Sequence, residues 1–119
     1  MIYTLTLNPC LDYTMRLPSV TFNGVNIAQT SIVHAGGKGI NVSIVLARLG
    51  LANTAMGFLG GKTGASILNE IQKEGVTPEF VIISEDSRMN FKITDDEGKT
   101  TEINGLGPDI AERELGELF

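Results

Sequence analysis

Three short stretches carry side chains suited to a polar, anionic small molecule. In "RMNFKI" (residues 88–93) a period of two puts Arg88, Asn90 and Lys92 on one side and Met89, Phe91 and Ile93 on the other. Two cations and an amide then form a row about 13 Å long between the outer Cα atoms. An arginine offers the forked donors that match phosphate, and an amide both donates to and accepts from hydroxyls. The solvated outer face of a sheet gives the same alternation.

The second stretch is "HAGGKGIN" (residues 34–41), a cationic glycine turn between an extended run and a helical one. A helix start carries unpaired N–H groups and a partial positive charge. Gly36, Gly37 and Gly39 leave room for a ligand to come close, Lys38 adds a charge, and Asn41 lies in the first helical turn. A tight turn with no ligand is the other reading of this spacing. Third, Asp12 follows the first strand in "NPCLD". A carboxylate at a strand's C-terminal end lies where open α/β sheets bind ligands, and it can accept from sugar hydroxyls. It can equally cap its own turn. His34 has no Cys or acidic cluster at ligand spacing, so a structural role and no metal site are expected. Cys10 has no activating partner in sequence and is expected to be an inert thiol.

A fourth stretch, "GFLGGKTG" (residues 57–64), invites comparison with a nucleotide phosphate loop. Gly61, Lys62 and Thr63 match the end of that pattern, but its first glycine falls on Met56, with Gly57 one residue too close. The loop length sets how many N–H groups wrap the phosphates, so no cradle is expected.

These residues need a scaffold. "IYTLTL" (Ile2–Leu7) has the composition of a strand stopped by Asn8-Pro9, and a second extended stretch is expected over Asn26–His34. From Ile40 to Leu49, the residues Val42, Val45, Leu46 and Leu49 recur at helical spacing on one face, with Gly50 as the stop. A buried strand is expected over Thr54–Gly60, a helix over 63–75 and a short strand over Glu79–Ile83. Strand, helix, strand, helix, strand is the order of right-handed crossovers in a parallel sheet. "RMNFKITD" and "KTTEING", joined by "DDEG", form a hairpin instead. Pro108-Asp109 opens a last helix with Ala111, Leu115, Leu118 and Phe119 on one face, and the chain stops inside it in the manner of a fragment.

Composition narrows the partner. The 119 residues are 42% hydrophobic and 19% charged, which fits one globular domain or a piece of one. A net charge of −5 argues against nucleic acid, whose backbone needs a basic surface, but leaves room for a small phosphorylated ligand. One cysteine, no signal-peptide pattern and no apolar run near the roughly 18 residues that span a bilayer point to a cytoplasmic protein with no membrane partner.

Four stretches in order, "TLNPCLD", "AGGKGINVSIVLARLG", "GFLGGKTGASILNEIQKEGV" and "SRMNFKI" leading into "TEINGLGP", resemble the N-terminal part of the ribokinase-like (PfkB) sugar kinase family. The resemblance implies a three-layer α/β/α fold with a small β-sheet lid, residues 1–119 being its substrate-binding part with lid strands near 13–34 and 88–104. It implies that Asp12, Gly36, Gly37, Lys38 and Asn41 line a sugar site covered by Arg88, Asn90 and Lys92, with Arg88 nearest the substrate phosphate. The motifs are most similar to those of bacterial members that phosphorylate fructose 1-phosphate, with tagatose-6-phosphate kinases next. ATP and Mg²⁺ would bind in a C-terminal part that this chain lacks, together with the general base, so no catalytic residue is assigned. A homodimer through the lid is expected from its open strand edges. A non-catalytic sugar-binding or dimerisation module is the rival reading.

Overall fold

The β-branched run at the N-terminus forms β1 (Ile2–Thr6), but Asn8-Pro9 is a corner and not an end. The chain re-enters a strand at once as β2 (Cys10–Arg16), so Asp12 lies within a strand and not in a turn after one. In the computed structural model, which describes residues 1–118, seven strands form two sheets and three helices accompany them. The third strand, β3, is Thr30–Gly36, four residues later than the composition of Asn26–His34 suggests. The Asn26 side chain explains the shift: its Oδ1 accepts from Thr21 N at 2.8 Å and its Nδ2 donates to Thr21 O at 2.9 Å, closing a loop before the strand can start.

Helix α1 (Lys38–Arg48) leads to β4 (Asn53–Gly60), α2 (Gly61–Lys73) and β5 (Thr77–Ile83). The strands β1, β4 and β5 make a parallel sheet in the order β1-β4-β5, as the alternation of strands and helices implies. The hairpin β6 (Arg88–Thr94) and β7 (Thr100–Asn104) joins β2 and β3 in a second sheet, β3-β2-β6-β7. There β2 pairs with β6 in parallel and the other pairs are antiparallel. The lid therefore begins at Cys10, earlier than position 13.

The core is the seam where α1 and α2 meet both sheets. Ile40, Ala55, Leu59, Ile67 and Ile71 pack with Leu11 and Ala35 from the lid strands. Burial of each large aliphatic side chain stabilises the seam by about 2 kcal/mol. Helix α2 leans on β4 and β5 and also on β2 and β3, and Glu70 Oε2 accepts from Ala35 N at 2.9 Å, so this helix fixes the lid to the sheet. Helix α1 turns a different face inward from the stripe expected. Ile40 and Ser43 are buried, whereas Val42, Val45 and Leu49 are 51%, 55% and 70% exposed. Ser43 shares a hydroxyl hydrogen bond with Thr4 of β1, and its carbonyl accepts from Asn53 Nδ2 at 3.0 Å, which sets the rotation of the helix.

The last helix, α3 (Glu112–Leu118), starts three residues after Asp109 and packs on β5. Its buried residue is Glu114, not the stripe of Ala111 and Leu115; Phe119 lies outside the described residues. The Glu114 carboxylate accepts from Ala111 N at 2.9 Å and from Ser84 N at 2.8 Å. It caps its own helix and docks it in one contact.

Candidate functional site

Register places the polar side chains of the lid in successive rows. Directly paired residues share a face of a sheet, so the pairs Cys10↔Arg88, Asp12↔Asn90 and Thr14↔Lys92 project to one side, joined across β3 by His34 and across β7 by Asn104 and Glu102. The opposite face carries Leu11, Tyr13, Val33, Phe91 and Ile103, with the Tyr13 and Phe91 rings stacked at 5.5 Å. The polar face looks onto the start of α1. Between them lies a cleft of about 270 Å³, lined among others by Asp12, Gly37, Lys38, Asn41, Arg88, Asn90 and Lys92. That is close to the lower bound, about 300 Å³, of ordinary small-ligand sites. Seven of the eight residues singled out from the sequence therefore meet at one place.

Gly36 lies behind the lining. A Cβ there would run into the Asp12 carboxylate and come within 2.9 Å of Cys10 Sγ. Its absence lets Asp12 sit flush against β3. Gly37 is the N-cap of α1, at φ 122°, with no side chain capping the helix. The first intrahelical bond runs from Asn41 N to Gly37 O at 2.8 Å, so the N–H groups ahead of Asn41 in the first turn have no intrahelical acceptor. They add to the field of Lys38 at the same end of the cleft.

The carboxylate of Asp12 has two neighbours that the sequence did not reveal. Cys10 donates its thiol to Oδ1 at 3.4 Å, and His34 Nε2 is 3.8 Å from Oδ2. His34 thus lines the cleft. Only the β2–β3 pairing brings it there, and no local pattern in "SIVHAGG" signals it. Burial, and then the neighbouring Asp12 charge, push the Cys10 thiol up to about 11. It remains a protonated donor at neutral pH, in keeping with an inert thiol.

The three residues of the β6 row differ in what holds them. Lys92 Nζ lies 3.4 Å from Glu102 Oε1, its direct cross-strand partner, and both are about half exposed. Asn90 Oδ1 accepts from Gly105 N at 3.0 Å. Arg88, which lines the cleft, has carbonyl partners, Asn8 O at 3.2 Å and Gly105 O at 3.5 Å. Glu102 and Asn104, which complete the far wall, come from a strand whose sequence gave no reason to single them out.

The other glycine stretch is a packing joint. Gly60 N donates to Ser87 Oγ at 3.0 Å, Ser87 N donates back to Gly60 O at 3.0 Å, and a Cβ on Gly61 would strike the Asp86 carboxylate. The turn is thus closed against residues 86 and 87. Among the described residues there is no group of three or more His, Cys, Asp or Glu placed to hold a metal ion. No helix is long and apolar enough to cross a membrane.

The chain is similar to known proteins in both sequence and fold. The family model described as pfkB family carbohydrate kinase matches residues 5–118. The chain is 47% identical over 115 residues to a 1-phosphofructokinase of Borreliella burgdorferi, covering 97% of the chain and 37% of that relative. It is 38% identical over 119 residues to a D-tagatose-1-phosphate kinase of Bacillus licheniformis, covering 100% of the chain and 38% of the relative. The crystal structure of phosphofructokinase-2 from Escherichia coli in complex with substrates and products superposes with a TM-score of 0.92 at 30% identity, over 98% of this chain and 38% of that one. The chain thus spans a little over a third of the length of the proteins it matches. The superposition confirms the ribokinase-like three-layer fold with its lid, for the N-terminal portion of that fold.

Proposed function

The chain belongs to the pfkB family of carbohydrate kinases, and from that premise we propose that it forms the sugar-binding part of an ATP-dependent phosphosugar kinase, with fructose 1-phosphate as acceptor and fructose 1,6-bisphosphate as product. The observation that carries this reading is the meeting, in one cleft, of Asp12, Asn41 and Asn90 with the charge of Arg88 and the uncapped start of α1. The carboxylate and amides suit sugar hydroxyls, and Arg88 with Lys38 suits a phosphate that the sugar already carries. Lys92 is the outer cation of the same row. ATP and Mg²⁺ would be held by a further part of the same fold, which would also supply the general base. The stripe of Val42, Val45 and Leu49, with Tyr3 and Leu5 of β1 at 55% and 53% exposure, supports such a further layer. Catalysis would rest on alignment of the two substrates and on neutralisation of developing charge. Use of ATP and the lone cysteine fit a cytoplasmic setting.

Kinetics of the full-length kinase against a panel of phosphosugars and their parent sugars test the reading. The expected order places fructose 1-phosphate first and tagatose phosphates next, the 6-phosphate included, with parent sugars far behind. A preference for an unphosphorylated sugar would overturn the phosphate role of the cleft.

We also propose that the full-length protein is a homodimer joined through the outer face of the lid. That face is apolar, with Val33 and Ile103 exposed at 42% and 57% and Phe22, at 87%, close to Ile103. Burying it against a second copy removes these exposed apolar side chains from water. Sedimentation at micromolar concentration should show a dimer, and Ile103→Lys should shift it to monomer. A wild-type protein that sediments only as monomer would contradict the proposal.

A further inference from the structure

Arg88 is held by oxygens from two separate corners of the molecule. Its Nε donates to the carbonyl of Asn8, which follows β1, and its Nη1 to the carbonyl of Gly105, which follows β7. Neither partner carries charge. They fix the direction of the guanidinium and leave its cation unneutralised, unlike Lys92 beside Glu102.

The Gly105 carbonyl is itself placed by a strap, Gly105–Gly107, that turns back over the start of β6. Gly105 N donates to Met89 O at 3.1 Å and to Asn90 Oδ1 at 3.0 Å, and a Cβ on Gly105 would come within 2.7 Å of Met89 O. The Leu106 side chain is 96% exposed and anchors nothing. The strap is pinned instead by Asn8, whose Nδ2 donates to Leu106 O at 3.3 Å. The same amide lies where a Cβ on Gly107 would be, 2.5–2.9 Å from its three terminal atoms. Asn8 thus touches Arg88 through its main chain and, through its side chain, the strap that supplies the second acceptor.

We infer that Asn8 is a positioning residue for Arg88: its carbonyl takes Nε, and its amide pins the strap whose Gly105 carbonyl takes Nη1, so that the remaining guanidinium donors are aimed into the cleft before an anion arrives. The inference rests on Arg88 as the phosphate anchor proposed above. Pre-aimed, this long side chain has little rotamer freedom left to lose when the anion binds.

The test is a double-mutant cycle in the full-length kinase with fructose 1-phosphate as the probe. Asn8→Ala should raise its KM roughly three- to tenfold, the size expected when one long side chain must be re-ordered on binding. The KM for ATP should stay as it was, and kcat should move less than twofold. Asn8→Leu keeps the size and brings no charge but loses the amide donors, and should reproduce the effect if Asn8→Ala fails to fold. In an Arg88→Met background, Asn8→Ala should add nothing. An unchanged KM in both Asn8 variants, or the same loss with and without Arg88, would overturn the positioning role. If Arg88→Met itself leaves the KM unchanged, the anchor reading falls, and the positioning role falls with it.

Discussion

Arg88→Met in the full-length kinase should raise the KM for the phosphosugar about 10- to 100-fold, with a much smaller effect on the unphosphorylated parent sugar. A hydrogen bond to a charged group contributes about 1.5–3 kcal/mol, and tenfold in affinity corresponds to about 1.4 kcal/mol. Arg88 is the cation of the β6 row whose hydrogen-bond partners are both carbonyls and not a carboxylate. Lys92→Met makes the contrast. Its ammonium already faces Glu102 at 3.4 Å on a half-exposed surface, where such pairs are worth about 0–1 kcal/mol, so its loss should change the KM only a few-fold. Parallel Michaelis curves on phosphorylated and parent sugar separate the two. Equal losses on both sugars with Arg88→Met would mean that the arginine shapes the cleft and does not read the phosphate.

Gly57→Ala should cost about 4 kcal/mol of stability, a large part of the 5–15 kcal/mol that holds a typical domain together. Gly57 sits at φ 150° directly opposite Thr6 in the β1–β4 ladder, and a Cβ would be driven into the Thr6 carbonyl oxygen. Overpacking of this kind costs about 1–3 kcal/mol, and the strained φ adds about 1–3 kcal/mol. The damage should reach the cleft as well. The Thr6 methyl lies under Gly37, 2.7 Å from where a Cβ would be, so a shift of β1 lifts the glycine turn. Gly50→Ala is the control: φ is 83°, nothing lies within 4 Å, and the cost should stay near 1 kcal/mol. Denaturant titration of the two variants decides the matter. A Gly57→Ala protein as stable as Gly50→Ala would mean that β1 and β4 are not packed as tightly as the register implies.

Local chemistry in the sequence determined a good deal. The period of two in "RMNFKI" put Arg88, Asn90 and Lys92 on one face, and the pairing of β6 with β2 sets them opposite Cys10, Asp12 and Thr14. The glycines of "HAGGKGIN" marked a strand-to-helix junction, and Gly37 takes a φ that few other residues adopt. "DDEG" between two β-prone runs marked the β6–β7 hairpin. These signals were legible because each depends on neighbours within a few residues, where backbone sterics act directly. The missing glycine in "GFLGGKTG" spoke against a phosphate loop for the same reason.

Partners distant in the chain decided the rest. Nothing near Asp12 shows that Cys10–Arg16 is a strand, because its hydrogen bonds go to β3 and β6, and a β-prone run needs such partners before it becomes a ladder. The stripe Val42, Val45, Leu46 and Leu49 has a helical period, but periodicity does not say which face turns inward. The Ser43 contacts with Thr4 and Asn53 made that choice, and Ile40 went into the core instead. His34 and Glu102 reach the cleft only through cross-strand register. The sequence named most of the residues that meet at the site. The tertiary structure alone decided their neighbours, because hydrogen bonding and charge act at ångström range between groups that the chain keeps far apart.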